Sequence, residues 1–182
     1  NDVAPSFTSD ATFSAAENQT AIGTVTATDA DGDDVTFTVS GSELAITSAG
    51  VLTFVSAPDY ETKATYTATV TVVDTEDNSA TQDITVNVTN VNDNSPVFTS
   101  DTTFSADENQ TAIGTVTATD ADGDAVTFTV SGSELAITSA GVLTFSSAPD
   151  HEAKSSYSVT VTASDGTNST TQNITVNVNN LN

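Results

Sequence analysis

PSFTSDATFSAAENQTAIGTVTATDADGD, residues 5 to 33, returns at residues 96 to 124 as PVFTSDTTFSADENQTAIGTVTATDADGD. A shift of 91 residues superposes Pro5 to Asp74 on Pro96 to Asp165, with about four positions in five identical. Repetition at a fixed period decides architecture before any local signal does. A unit of about ninety residues is large enough for an all-β sandwich with its own core, so the 182-residue chain reads as two domains, 1–91 and 92–182, joined by a linker at about 90–95. Past Asp74 and Asp165 the register slips by one residue, because VDTEDNSATQ (73–82) faces SDGTNSTTQ (164–172). A single deletion between strong strand signals predicts a hairpin loop there.

Outward from that stretch the hydrophobic period is two. Val35, Phe37 and Val39 share one face, as do Tyr66, Ala68, Val70 and Val72, and Ile84, Val86 and Val88; threonine fills the other face. The second copy repeats this with Val126, Phe128 and Val130, then Tyr157, Val159, Val161 and Ala163, then Ile174, Val176 and Val178. A β-branched polar residue suits a pleated surface that is wet on one side. Turn clusters DADGD, SGS, SAG, SAPD and DTEDN separate the runs and leave about seven strands per unit. The fold class is therefore all-β: two tandem seven-stranded Ig-like Greek-key sandwiches. Phe7, Phe13, Ile22, Val25, Leu52 and Phe54 complete the first core, and Phe98, Phe104, Ile113, Val116, Leu143 and Phe145 the second.

Composition excludes whole classes of function. Against 25 acidic residues stand 2 basic ones, a net charge of -23, which is the wrong sign for a nucleic-acid or anionic-membrane binder. No apolar run approaches the eighteen or so residues that span a bilayer, so direct membrane insertion is not expected. Cysteine is absent, so no disulfide fixes the domains, and the acidity asks for cations.

The acids sit at turns and strand ends: Glu17 in AAEN, Asp29 and Asp31 in DAD, Asp59 and Glu61 in PDYE, Asp74, and Asp93 in VNDNSP. Glu108, Asp120, Asp122, Asp150, Glu152 and Asp165 repeat the set. P-x-F at the start, Glu-Asn after the first strand, D-A-D after the second, D-x-E before the sixth, an acid after it and N-D-N-x-P at the junction together resemble a cadherin repeat, over the whole chain, twice. The resemblance implies calcium at the junction between repeats, held by Glu17, Asp59, Glu61 and Asp93 for the two ions nearer the first repeat. It implies Asn92, Asp120, Asp122 and Asp165 for the ion nearer the second, with Asp122 bridging and the Asn94 carbonyl contributing. Asp2, Asp29, Asp31 and Asp74 form an expected N-terminal half-site, and Glu108, Asp150 and Glu152 a poorer C-terminal one. The matching of Asn1 and Asp2 to Asn92 and Asp93, and of Leu181 and Asn182 to Val91 and Asn92, carries the expectation of a repeat before and a repeat after.

The physical reason for such a pattern is simple. Calcium takes six to eight hard oxygens, so carboxylates from several loops must converge. Two carboxylates about 5 Å apart repel by on the order of 3 kcal/mol at an effective dielectric of 20, so seven gathered at one junction need cations. Two departures stand out: the position two before the linker Asn92 is the neutral Asn90, where the family commonly has an acid, and the loop after Asp122 is short, which points to Gly123 or Asp124 for a further carbonyl.

Other readings are weaker. DADGD begins like an EF-hand loop, but position twelve is Ser40 and strands flank it. His151, the only imidazole, aligns with Tyr60, and with no Cys or Ser elbow it supports no triad, so the chain does not read as an enzyme. Lys63 and Lys154 occupy matching places, which admits a Lys–Asn isopeptide bond as in some bacterial adhesins; an exposed lysine is the plainer reading. Sequons at Asn18, Asn87, Asn109, Asn168 and Asn173 are what an Asn- and Thr-rich chain produces by composition. The function expected is a calcium-rigidified structural or adhesive module of an extracellular surface protein, a stalk, filament or adhesin shaft whose partners are adjacent cadherin-like repeats and a cell surface or glycan. The alternative is a carbohydrate-binding module of a secreted polysaccharide-active protein, disfavoured by the lack of any tryptophan. Strand exchange through an N-terminal tryptophan, as in cadherins of animal cell junctions, is disfavoured on the same ground.

Overall fold

The computed structural model describes residues 3–181, and among them every regular element is a strand. Two compact units, Asn1–Val91 and Asn92–Asn182, divide the chain. The first carries β1 (Ser6–Phe7), β2 (Thr12–Ala16), β3 (Ala21–Thr24), β4 (Ala27–Thr28), β5 (Thr36–Val39), β6 (Leu44–Ile46), β7 (Val51–Phe54), β8 (Thr65–Val73) and β9 (Ser79–Thr89). The second repeats the series as β10 (Val97–Phe98), β11 (Thr103–Asp107), β12 (Ala112–Thr115), β13 (Ala118–Thr119), β14 (Thr127–Val130), β15 (Leu135–Ile137), β16 (Val142–Phe145), β17 (Ser156–Ser164) and β18 (Ser169–Asn179). Nine segments reduce to seven strands once β1 with β2, and β3 with β4, are taken as single strands interrupted once.

In each unit a four-stranded sheet, ordered β2-β9-β8-β5 or β11-β18-β17-β14, faces a three-stranded one, β3-β7-β6 or β12-β16-β15. The alternation read from sequence sets these faces: along β9 Ile84, Val86 and Val88 are buried, while Thr81, Asp83 and Asn87 are exposed. Val25, Leu52, Phe54, Val70 and Val72 join them in the core, and Phe7, Phe13, Ile22 and Tyr66 pack half-buried around it. At about 25 cal/mol per Å2 this burial is the principal stabilising term of each unit.

The first strand changes partners at its break. β1 pairs antiparallel with β4, whereas β2 pairs parallel with β9, Thr12 opposite Thr85 and Ala16 opposite Thr89. Between them the amides of Thr8 and Ser9 both donate to the Thr26 carbonyl, so the chain is held as it crosses. The hairpin loop from β8 to β9 is residues 74–78, and from β17 to β18 residues 165–168, so the deletion falls at the hairpin tip. Gly50 is irreplaceable on steric grounds: its φ is +86°, and a Cβ there would lie 2.1 Å from the Val25 carbonyl oxygen. The Val25 amide in turn donates to the Gly50 carbonyl at 2.9 Å, and Gly141 stands in the same relation to Val116.

Candidate metal centre

The D-A-D turn leaves β4 with its acids on a tight loop. Asp31 donates its amide to Asp29 Oδ1 at 2.7 Å, an Asx-type closure that holds the first carboxylate over the turn. One oxygen from each of Asp29, Asp31 and Asp33 lies within 4.8 Å of the others. Asp29 Oδ2 is buried and has no hydrogen-bond partner, while the Val3 amide reaches Asp31 Oδ2 at 3.3 Å. Asp74 is not in this group: it is buried, and it accepts from the amides of Glu76 and Asn78 and from Asn78 Nδ2 across the hairpin tip. Burial pushes the Asp74 carboxyl up, but the Asn78 side chain and the two amides outweigh it and hold it below the usual carboxylate range. Asp2 lies outside the described residues.

The remaining expected ligands of the first unit are Glu17, Asp59 and Glu61. Glu17, at the end of β2, is 4 % exposed; its Oε2 accepts from the Tyr60 amide at 2.8 Å and its Oε1 from the Val91 amide at 2.7 Å. Asp59 closes its own turn by accepting from the Thr62 amide and hydroxyl, and Glu61 is exposed in the same turn.

In the second unit the same D-A-D turn holds the linker. Asp122 Oδ2 accepts from the amides of Asp93 and Asn94 at 3.0 and 2.8 Å, and Asp122 Oδ1 from Asn94 Nδ2 at 2.8 Å. Asp120 Oδ1 accepts from the Asp122 amide, and Asp120 Oδ2 is buried without a partner, as at Asp29. Asp120, Asp122 and Asp124 bring an oxygen each within 4.8 Å of one another. Asp165 closes the hairpin tip by accepting from the amides of Thr167 and Asn168 at 2.7 and 2.6 Å. Burial raises its carboxyl, and these amides with the side chains of Asn168 and Asn92 more than offset that, so it sits below the usual range. Glu108 repeats Glu17, accepting from the amides of His151 and Leu181, and with Asp150 and Glu152 forms a further three-carboxylate group within 4.8 Å.

The expected ligands thus divide by unit: Glu17, Asp59 and Glu61 belong to the first, and Asn92, Asp93, Asn94, Asp120, Asp122 and Asp165 to the second. Three side chains escaped the sequence reading, which named Asp124 only for its backbone carbonyl. The carboxylates of Asp33 and Asp124 complete the two D-A-D groups, and their D-x-D-x-D spacing was the available signal. Asn168 was read only as part of a sequon, yet its Nδ2 lies 2.7 Å from Asn92 Oδ1 and 2.9 Å from the Asn94 carbonyl. Every donor in these groups is a hard oxygen, the set a calcium-sized cation requires, and the two orphaned carboxylate oxygens are what such an ion would satisfy.

The lysines are engaged. Lys63 Nζ makes a salt bridge to Glu43 and sits 4.4 Å from the centre of the Tyr66 ring, whose other neighbour is the edge-on ring of Phe54 at 5.0 Å. Lys154, Glu134 and Tyr157 repeat the arrangement.

A family described as bacterial Ig domain matches residues 1–87 and again 92–178. The chain belongs to the bacterial Ig domain family. No curated protein sequence matches it. Among solved structures these two bacterial Ig domains are similar to repeats EC22–24 of mouse cadherin-23, with a TM-score of 0.84 at 22 % identity over 99 % of this chain and 68 % of that one. Repeats EC1–2 of human protocadherin-24 give 0.81 at 21 % identity, each chain covered completely. Repeats EC1–4 of Drosophila N-cadherin give 0.76 at 21 % identity over 97 % of this chain and 50 % of that one. The bacterial Ig domains of this chain therefore have the cadherin-repeat fold.

Proposed function

We propose that the chain is a calcium-rigidified repeat module of an extracellular surface protein, structural or adhesive rather than catalytic, serving as a piece of a stalk, filament or adhesin shaft. One observation carries this reading. At matched positions in two independent units, the first acid of D-A-D keeps one buried oxygen without a hydrogen bond while two further carboxylates crowd within 4.8 Å. A buried carboxylate oxygen left bare costs free energy, and neighbouring negative charges add to that cost, so a cation shared among the three carboxylates would stabilise the arrangement.

The proposed ligands are Glu17, Asp59, Glu61 and Asp93 toward the first repeat, and Asn92, the Asn94 carbonyl, Asp120, Asp122 and Asp165 toward the second. Asp29, Asp31 and Asp74 with Asp2, and Glu108, Asp150 and Glu152, are proposed as terminal half-sites that adjoining repeats would complete. Calcium supplies positive charge and six to eight coordination positions, which turns repulsion among loops into cross-linking. The chain's own residues supply the preorganisation: Asp122 wraps the linker amides, and Glu17 fixes the turn carrying Asp59 and Glu61. Against a glycan-binding role, the Tyr66 and Tyr157 rings are capped by lysines, which removes the flat apolar face that sugar stacking uses.

The test is a calorimetric calcium titration of the purified chain, with melting curves and small-angle scattering in calcium and in chelator. Uptake of calcium at submillimolar to millimolar concentration, with magnesium much weaker, a higher melting temperature and a narrower distribution of molecular dimensions is the expected result. No uptake at millimolar calcium would leave two acidic β-domains without this role.

A further inference from the structure

Four oxygens of the second unit converge on one nitrogen. Asn168 Nδ2 has Asn92 Oδ1 at 2.7 Å, the Asn94 carbonyl at 2.9 Å, Asp165 Oδ2 at 3.4 Å and the Asn92 carbonyl at 3.5 Å. The end of the amide facing them is fixed by chemistry: all four neighbours are acceptors, so the donor end must point inward. An NH2 group has two hydrogens, and the two short contacts use both. The two longer ones are left to electrostatic attraction alone. The side chain is half-buried, and its backbone is tied down because the Asn168 amide donates to Asp165 Oδ1 at 2.6 Å. Its reach joins the hairpin tip between β17 and β18 to the linker segment 92–94, 74 to 76 residues earlier in the chain.

All four oxygens belong to Asn92, Asn94 and Asp165, residues assigned above to a calcium ion. We infer that Asn168 is the metal-free latch of the linker: its amide nitrogen takes the central place among these oxygens, holds residues 92–94 on the second repeat when calcium is absent, and gives up that place when calcium is taken up. The inference rests on the calcium reading for its second half and on the hydrogen bonds alone for its first. Asn168 is thus a positioning residue that competes with the ion. A neutral donor suits this, because it satisfies the oxygens in the metal-free state and holds them less strongly than a divalent charge does. The equivalent in the first repeat, Asn78, makes the matching bond to Asp74 Oδ2 at 2.9 Å.

The experiment compares the whole chain with Asn168→Ala and Asn168→Gln in three measurements: melting temperature in chelator, melting temperature in saturating calcium, and calcium affinity by titration with the metal alone. For Asn168→Ala a latch gives a lower melting temperature in chelator, little change in calcium, and calcium affinity about two- to tenfold tighter at one site, the range that one lost net hydrogen bond carries. Hydrogen exchange at the Asn94 amide should quicken in chelator only. Asn168→Gln, which keeps the amide on a longer stem, should recover part of the chelator stability. Weaker calcium binding by Asn168→Ala overturns the latch, because the residue would then be a ligand. An equal loss of melting temperature in both conditions with unchanged affinity also overturns it, because the role would be plain packing. Should the unaltered chain take up no calcium, the functional reading fails, and the metal-free melting and exchange data still decide whether Asn168 holds the linker.

Discussion

The Val91 amide donates to Glu17 Oε1 at 2.7 Å, so the last residue of the first repeat is fastened to the end of its second strand segment by a buried carboxylate. The other oxygen of Glu17 is committed to the Tyr60 amide. One side chain therefore sets the exit direction of the chain and the position of the turn that carries Asp59 and Glu61. Glu17→Ala strands two amide donors, each worth about 1–3 kcal/mol, and should destabilise the repeat by about 2–6 kcal/mol in chelator. Glu17→Gln keeps an acceptor and should lose clearly less. Denaturant unfolding of the two variants checks this, and equal losses would refute the bracing role.

Gly50→Ala should be among the most damaging single changes. It forces a side chain onto a positive φ and drives a Cβ to within 2.1 Å of the Val25 carbonyl oxygen, so strand β7 or the Val25 segment must shift. A loss of roughly 3 kcal/mol or more is expected from the strain and overpacking together. Gly41→Ala is the control: it shares the positive φ but has nothing within 4 Å, and should lose only the conformational part.

In chelator, acid should weaken the second repeat more steeply than the first. Asp165 and Asp74 are both held below the usual carboxylate value near 3.8, so each contributes stability that is present above that value and is lost as pH falls through the lower folded one. Glu76 works the other way. The Thr75 hydroxyl lowers its carboxyl, but Asp33, desolvation and the Asp74 charge outweigh this and raise it, so its contribution is largest in acid and is lost as pH rises. The shortened tip at 165–168 has no counterpart of Glu76. Urea unfolding from pH 6 to 3 measures the slopes, and Asp165→Asn should flatten that of the second repeat.

Lys63→Ala should change little. Its partner Glu43 is exposed and the pair is screened by solvent, so the ion pair and the ring contact together are worth about 1 kcal/mol or less. An intact mass equal to the sequence mass is expected, because the lysine is occupied by a salt bridge.

The architecture was open to reading because burial imposes period two. Val70 with Val72, and Ile84 with Val86 and Val88, could face only one way. The deletion after Asp165 likewise had to fall outside the strand ladder, and it does. The D-A-D acids were legible as a pattern, but the role of Asp33 and Asp124 was not, because the tightness of the turn is set by backbone geometry. The break between β1 and β2 was hidden for a related reason: TSDA contains no Gly or Pro, and the switch of partner depends on where β4 and β9 lie. Contacts such as Asn168 with Asn92, or Lys63 with Glu43, join residues far apart in sequence whose polar character would fit any exposed loop. Periodicity carries no information about them.

The parallel pairing of β2 with β9 has a mechanical side. Tension applied to a repeat through its two ends pulls β2 backward and β9 forward along their common direction, so the ladder from Thr12–Thr85 to Ala16–Thr89 is loaded in shear, all its bonds at once. An antiparallel pair tugged from adjacent ends would peel open one rung at a time. A strand order of this kind gives each repeat resistance to stretching from its backbone pairing alone.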